Sequence, residues 1–419
     1  MNKQDHKIHI IGAGVSGLIA ARVLEGAGYS PIIIEATDRV GGRVKTDLVE
    51  GYQLDHGFQV LLTAYPAAQK YLDIEALELQ YFLPGATIFH NGNKQTIGDP
   101  LRNISLLLPT LFSDIGTFSD KFKVLKLNKL LKKTTIPEIF AKDEKTTFQY
   151  LSDFGFSEEM IHHFFTPFFS GIFLEAELET SSRMFEFVYK MFGEGFAALP
   201  KAGIEAIPKQ LKDSLEQTRF QFNTKVKAVE DGNIVLENGA ILESHFTIIA
   251  TAPSALLSHL KLRETTWKSC DTLYFETSRR VITKPLIGLM ANKDTFINNI
   301  FYHTSLSSQS AGAKELLSVT VVKEHGLSEK VLIMTVQKEL EEYCGADSYR
   351  FLKHYFIPQA LPKLHGLRYE MLPSETRVKS GIFIAGDTQL NGSLNAAMIS
   401  GEKTALNIVQ TLAAHSKDD

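Results

Sequence analysis

The sequence predicts an α/β fold, with a parallel-sheet domain interleaved with a second, mixed α+β domain. Three observations carry this reading. A strand, a glycine turn, a helix and a second strand open the chain, and an apolar strand ending in Gly-Asp before a helix closes it. Between them lie two long segments of different pattern. At 419 residues the chain exceeds what one simple core holds, so two domains are expected.

Residues 7–11 (KIHII) are a short apolar run, Gly12-Ala13-Gly14-Val15-Ser16-Gly17 gives G-x-G-x-x-G, and residues 18–27 read as a small-residue helix. A second apolar run, 31–34, ends in Glu35. This is the β-α-β unit of a Rossmann-type dinucleotide site. Gly12 permits the tight turn, Gly14 lets the backbone approach a pyrophosphate, and Gly17 lets helix and strand pack closely. The helix N-terminus at Val15 and Ser16 offers N–H groups to the phosphates. Glu35, with Ala36 beside it, is placed to accept hydrogen bonds from a ribose diol. An acid there disfavours a 2′-phosphate, so the nucleotide should be FAD or NAD rather than NADP.

Residues 35–43 (EATDRVGGR) form a second glycine turn. Gly41-Gly42 permits another close backbone approach, and Arg39 or Arg43 can neutralise phosphate charge. GAGVSGLIAA followed by E-x-x-x-R-x-G-G-R resembles the flavin amine oxidase superfamily, which also holds protoporphyrinogen oxidases, phytoene desaturases and carotenoid isomerases. The resemblance implies FAD. It extends to the far end of the chain, where residues 380–387 (SGIFIAGD) read as a buried strand ending at Gly386-Asp387. Residues 395–401 (NAAMISG), beginning with Asn395 and Ala396, open the last helix. In that superfamily the matching aspartate holds the ribityl-phosphate portion of the flavin, and the last helix points its N-terminus at the isoalloxazine. A helix dipole there favours negative charge on the reduced ring. The resemblance also sets the backbone of Val226 on the adenine side. No cysteine or histidine stands in 390–397, so FAD is expected to be non-covalent.

The net charge of −4 gives no case for nucleic acid. Cys270 and Cys344 make neither a disulfide framework nor a metal spacing. His162 and His163 are adjacent, would diverge by about 100° on an α-helix, and have no partner ligand at i+4, so no metal is expected. The first apolar run is the Rossmann strand itself, and no run approaches the length of a membrane span. A cytoplasmic location is expected, with a peripheral membrane contact as the open alternative. That alternative rests on residues 121–133, where Val124, Leu127, Leu130 and Leu131 share one helical face and Lys126, Lys129, Lys132 and Lys133 cluster opposite. Such a helix is either an ordinary surface helix with its stripe in the core or an interfacial helix on an anionic membrane. Superfamily relatives reach lipid-borne substrates through this insert.

Residues 1–95, 195–255 and 366–419 are assigned to the FAD-binding domain. The middle piece contains strands at 225–229, 233–236 and 246–250. Residues 96–194 and 256–365 are assigned to the substrate domain, with strands expected near 271–280 and 316–322. Its first insert is helical and phenylalanine-rich, at Phe164, Phe165, Phe168, Phe169, Phe173, Phe185, Phe187 and Phe192. Aromatic helices of this density are usually core; the functional reading is a wall of an apolar cavity.

A flavin enzyme needs from its protein chiefly orientation over N5 and exclusion of water, so no catalytic residue is assigned. Many amine oxidases of the superfamily carry a lysine near flavin N5. Here Lys268 does not align with that position and reads as solvent-facing, which favours the carbon–carbon branch. The expected function is an FAD-dependent oxidoreductase that oxidises or desaturates a bulky apolar substrate by hydride transfer to N5, with an unassigned electron acceptor. The alternatives are amine oxidation at a C–N bond and a flavoprotein using FAD non-oxidatively, as an isomerase or scaffold. Escort proteins for prenylated GTPases share the fold without flavin, but here the glycines, Glu35, Arg43 and Asp387 are all in place.

Overall fold

The isoleucine runs pair as parallel strands. In the computed structural model, which describes residues 3–99, 102–111, 113–257, 264–309, 312–346 and 349–418, a six-stranded sheet is ordered Arg219–Gln221, Ile32–Ile34, Ile8–Ile11, Phe246–Ile249, Ile382–Ile384, Arg377–Lys379. Neighbours are parallel except the last pair. Parallel sheets are covered on both faces, which is why these strands read as continuous apolar runs. Ile8, Ile10 and Ile33 share a core with Leu18 and Leu24 of the helix Val15–Gly26 and Ile408 of the helix Leu394–Asp418. Ile11, Ile34 and Ile249 pack instead on Val226, Val229 and Ile234 of an antiparallel three-stranded sheet. The expected α/β architecture is the one observed.

His9 is a buried polar group of this sheet, 4% exposed, with Nδ1 2.9 Å from Ser244 Oγ. Burial, helped by the charges of Lys7 and Arg219, pushes its imidazole down from 6.5 to about 4. A folded-state value below the unfolded one stabilises fully above pH 6.5 and is lost as pH falls through about 4. The urea midpoint should therefore drop over that window, with His9 accounting for about 2–3 kcal/mol. His9→Asn should flatten the profile; an unchanged slope would mean that His9 is charged in the fold.

A second sheet has seven strands, ordered Tyr349–Lys363, Thr266–Thr277, Glu315–Val321, Ile297–Tyr302, Ile287–Met290, Gly85–His90, Asn93–Gly98. One face, with Leu273, Phe275, Leu317 and Val319, packs on Leu332, Val336 and Leu340 of the helix Glu329–Cys344. The other face, with Tyr274 and Phe301, turns toward residues 55–60. The hairpin 85–98 lies in this sheet, because Ala86–Phe89 pair in parallel with Ile287–Met290. Residues 85–95 thus sit on the substrate side of the boundary that the sequence placed at 95.

The phenylalanine-rich insert is largely core. Phe165, Phe169, Phe173, Phe185 and Phe187 are fully buried, with Phe169 and Phe185 rings 4.7 Å apart. Phe164, Phe168 and Phe192 remain partly buried around them. In the helix Phe118–Lys133 the stripe turns mostly into the core, the first of the two alternatives: Leu127 and Leu131 are buried and Val124 is half-buried, while Leu130 stays exposed. The apolar side chains that do face outward are Phe118 and Phe122, 73% and 72% exposed, followed by Leu125.

Candidate functional site

Two glycine turns touch at the C-terminal edge of the parallel sheet. Gly12 adopts φ +104°, and a Cβ there would meet Thr251 Cγ2 at 2.6 Å. A Cβ on Gly17 would lie 2.1 Å from the Gly12 carbonyl oxygen, so this glycine is fixed by helix–strand contact. Gly14 differs. Its φ of −72° suits any residue, and a Cβ there would meet nothing within 4 Å. Gly14 is the N-cap of the helix that starts at Val15, and no side chain caps that terminus. The first-turn amides of Val15 and Ser16 therefore border open space, which suits a bound phosphate.

The second turn closes on the first. Gly41 N donates to Ala13 O at 3.0 Å, and a Cβ on Gly42 would come to 3.4 Å from Gly14 Cα. Glu35 is buried at the end of its strand. Its Oε2 accepts from Ala13 N at 2.8 Å, and its Oε1 accepts from Thr37 N and Oγ1 at the same distance. Ala36 beside it is exposed. Thr224 N donates to Glu35 O, which brings the segment entering Val226 alongside the acid.

The two arginines have different surroundings. Arg39 Nη2 donates to Asp47 Oδ1 at 2.6 Å and Nη1 lies 3.6 Å from Glu205 Oε2. Asp47 also accepts from His56 Nε2 and Tyr355 Oη. The Arg39 charge is thus neutralised within the protein. Arg43 instead reaches the far end of the chain, with Nη2 2.5 Å from Asp387 Oδ1, and its guanidinium lies over Trp267. Gly386 at φ +153° precedes this aspartate, and its N donates to Ser400 Oγ. The last helix lies tightly on the first: a Cβ on Gly401 would come within 2.3 Å of Ser16 O. At its start Ser393 Oγ accepts from Ala396 N, and buried Asn395 accepts from Ala67 N at 3.0 Å. The structure therefore brings 12–17, 35–43 and 386–396 together, with Asn395 serving visibly to anchor residue 67.

Lys268 is not solvent-facing, contrary to the sequence reading. Its side chain is 15% exposed, pairs with Glu175 Oε2, and donates to Phe173 O at 2.9 Å. A carboxylate inside the phenylalanine-rich insert captures it.

Sequence reasoning missed an aromatic row on the inner face of the seven-stranded sheet. His56 and Tyr355 rings lie 4.4 Å apart, Tyr355 and Tyr274 6.1 Å, Tyr274 and His303 5.7 Å, and His303 and Phe301 5.2 Å. Phe301 then contacts Phe58 at 5.4 Å and Phe82 at 4.5 Å. Burial pushes the His303 imidazole down to about 4, and its Nε2 sits 3.0 Å from Ser318 Oγ. Gln59, next to Phe58, donates to Arg43 O at 2.9 Å, which ties this row to the glycine turn. These residues come from separate segments, so no local spacing announces them.

A family model described as flavin-containing amine oxidoreductase matches residues 15–409. The L-amino-acid oxidase of Sistrurus catenatus edwardsii is 33% identical over 153 residues, which are 35% of this chain and only 30% of that protein. Protoporphyrinogen oxidase 2, chloroplastic/mitochondrial, of Arabidopsis thaliana is 21% identical over 500 residues, covering 98% of this chain and 95% of its own. Among solved structures, an oxidoreductase from Methanosarcina mazei shares the fold with a TM-score of 0.73 at 16% identity, covering 97% of this chain and 100% of the other. The open space at Gly14, the bare helix terminus, the buried Glu35 and the Arg43–Asp387 bridge fit the phosphates and ribose of FAD, and the chain belongs to the flavin-containing amine oxidoreductase family, FAD-dependent oxidoreductases.

Proposed function

We propose that this chain oxidises or desaturates a bulky apolar substrate at a C–C or C–N bond. The observation that carries the reading is the aromatic row from His56 to Phe82, tied through Gln59 to the glycine turn beside Arg43. Bound FAD supplies the hydride acceptor, flavin N5. The residues of the chain bind, orient and keep out water. Phe82 and Phe301 are buried and back the partly exposed Phe58, whose ring is the one open to a flat, conjugated molecule, and stacked or edge-on ring contacts favour such a partner. Burial keeps His303 neutral at physiological pH. Similarity to a protoporphyrinogen oxidase along nearly the whole chain supports the carbon–carbon branch.

The purified protein is expected to be yellow, and acid precipitation to release the flavin into the supernatant. Anaerobic mixing with conjugated isoprenoids, porphyrinogens and amines should bleach the flavin band for one of the first two. Bleaching by small polar amines alone would overturn the carbon–carbon preference. No bleaching by any of them, with FAD bound, would point to a non-oxidative flavoprotein.

Substrate entry is proposed from an anionic membrane surface, through the helix Phe118–Lys133. Phe118, Phe122, Leu125 and Lys129 follow one another at helical spacing on the outer face, with Lys126 and Lys133 beside them. Each lysine contributes about 1 kcal/mol at an anionic surface, screened by salt. Co-sedimentation with anionic vesicles should fall with added salt and be lost in Phe118→Asp/Phe122→Asp. Retention of the double variant on vesicles would exclude this face.

A further inference from the structure

The adjacent histidines of the first insert do not diverge as they would on an α-helix. Residues Ile161–Phe165 form a single π-helical turn between the helices Glu158–Met160 and Thr166–Phe173. A π turn bonds i to i+5 and rotates less per residue than an α-helix, and such turns often mark functional sites. Both His162 and His163 line one recess of about 240 Å³. His90, at the end of the strand Gly85–His90, lines it as well, and its ring lies 4.3 Å from that of His163 at an interplanar angle of 38°. Lys293 closes another side.

This group has an electrostatic imbalance. None of the three imidazoles makes a hydrogen bond to another described residue. The groups facing His163 are His90, His162 and Lys293, all cationic when charged, against Glu159. Asp294 and Tyr343 complete the titratable lining. Burial and these neighbours hold His163 below its ordinary value. His90 and His163 in ring contact, with His162 and the Lys293 ammonium lining the same recess, are repelled from becoming cationic together unless an anion joins them. Among the described residues no three His, Cys, Asp or Glu side chains are arranged to hold a metal ion, so the chemistry available is that of hydrogen-bond donors around negative charge.

We propose that this recess binds a small oxyanion, either a free inorganic ion or the phosphate of an organic phosphomonoester, and takes up a proton with it. The donors are imidazole N–H groups of His90, His162 and His163 and the Lys293 ammonium. Binding favours the protonated rings, so affinity rises as pH falls. The recess is built from the substrate-domain sheet and its first insert, apart from the glycine turns that hold the dinucleotide.

The test uses FAD-loaded protein, so that the dinucleotide turn is filled and cannot take the probe. Sulfate is the probe because its charge does not change in this range. Calorimetric titration at about pH 6 should show saturable binding that weakens by about tenfold or more at about pH 8. Heats measured in buffers of different ionisation enthalpy should report net proton uptake. His90→Gln and Lys293→Gln, each checked for unchanged FAD content, should each weaken binding about tenfold. A phosphomonoester arm with glycerol phosphate separates the sources: tighter binding than sulfate indicates an organic ligand, equal binding a free ion. Absence of binding at the lower pH would overturn the proposal, as would binding indifferent to pH or to both variants.

Discussion

Gly14→Ala is expected to lose FAD while leaving the empty protein at least as stable as before, whereas Gly17→Ala loses both. The two glycines are three residues apart in one motif, yet different neighbours fix them. A methyl on Gly14 meets no protein atom within 4 Å, at a φ that alanine adopts freely. Reducing unfolded-state freedom at a compatible site adds about 0.4–1 kcal/mol of stability. That same methyl fills the space in which a pyrophosphate would approach the first-turn amides. Charge-assisted hydrogen bonds of about 1.5–3 kcal/mol each are at stake, so Kd for FAD should rise about a hundredfold or more. At Gly17 the methyl would lie 2.1 Å from the Gly12 carbonyl oxygen and 3.3 Å from Ile10 Cγ2. Helix and strand must then separate, an overpacking cost of about 1–3 kcal/mol or more. Thermal melts of FAD-stripped protein, with flavin titration of each variant, distinguish the two. Equal destabilisation by both substitutions would mean that Gly14 serves the fold and not a ligand.

What was legible in the sequence follows from the range of the forces involved. The unit from residue 7 to Glu35 is encoded locally, by an apolar run, a glycine turn and a small-residue helix, and it folds as read. Its partnership with Gly386-Asp387 was legible through the family resemblance. The hairpin 85–98 was misplaced because its membership is decided by parallel pairing with Ile287–Met290, about two hundred residues away, and no local pattern encodes that register. The fifteen-residue strand Tyr349–Lys363 went unread because Pro358 and Pro362 argue against a strand. It is an edge strand of its sheet, where a missing N–H can be tolerated. For the lysine-rich helix the period was legible, but which of its two possible orientations it takes was not. Apolar residues occur on both sides of it, and only packing decides that Leu127 and Leu131 go inward while Phe118 and Phe122 stay out. Arg39 and Lys268 show the same limit for charges, since their partners Asp47, Glu205 and Glu175 are chosen by the tertiary fold. The π turn at 161–165 is likewise invisible to a rule that assumes α-helical spacing.

The Arg43–Asp387 bridge should behave as a coupled pair whose loss is felt first in cofactor affinity. It joins residues far apart in sequence and brings the glycine turn against the segment that opens the last helix. The two side chains are unequally exposed, 40% for Arg43 and 8% for Asp387. Arg43→Ala strands a nearly buried carboxylate, and after allowance for solvent at the arginine the cost to the empty protein is about 2 kcal/mol. Asp387→Ala leaves an arginine that can turn to water, so its stability cost is smaller, about 1 kcal/mol. The double variant should cost less than the sum, with a coupling of about 1 kcal/mol. For FAD the order is different. Both single variants lose a group at the phosphate-bearing end of the site, and each should raise Kd by about tenfold or more. Denaturant melts of the stripped protein and flavin titrations of the four proteins complete the cycle. If Asp387→Ala binds FAD as the parent does, the C-terminal segment contributes packing alone and the cofactor is held by the two glycine turns and Glu35.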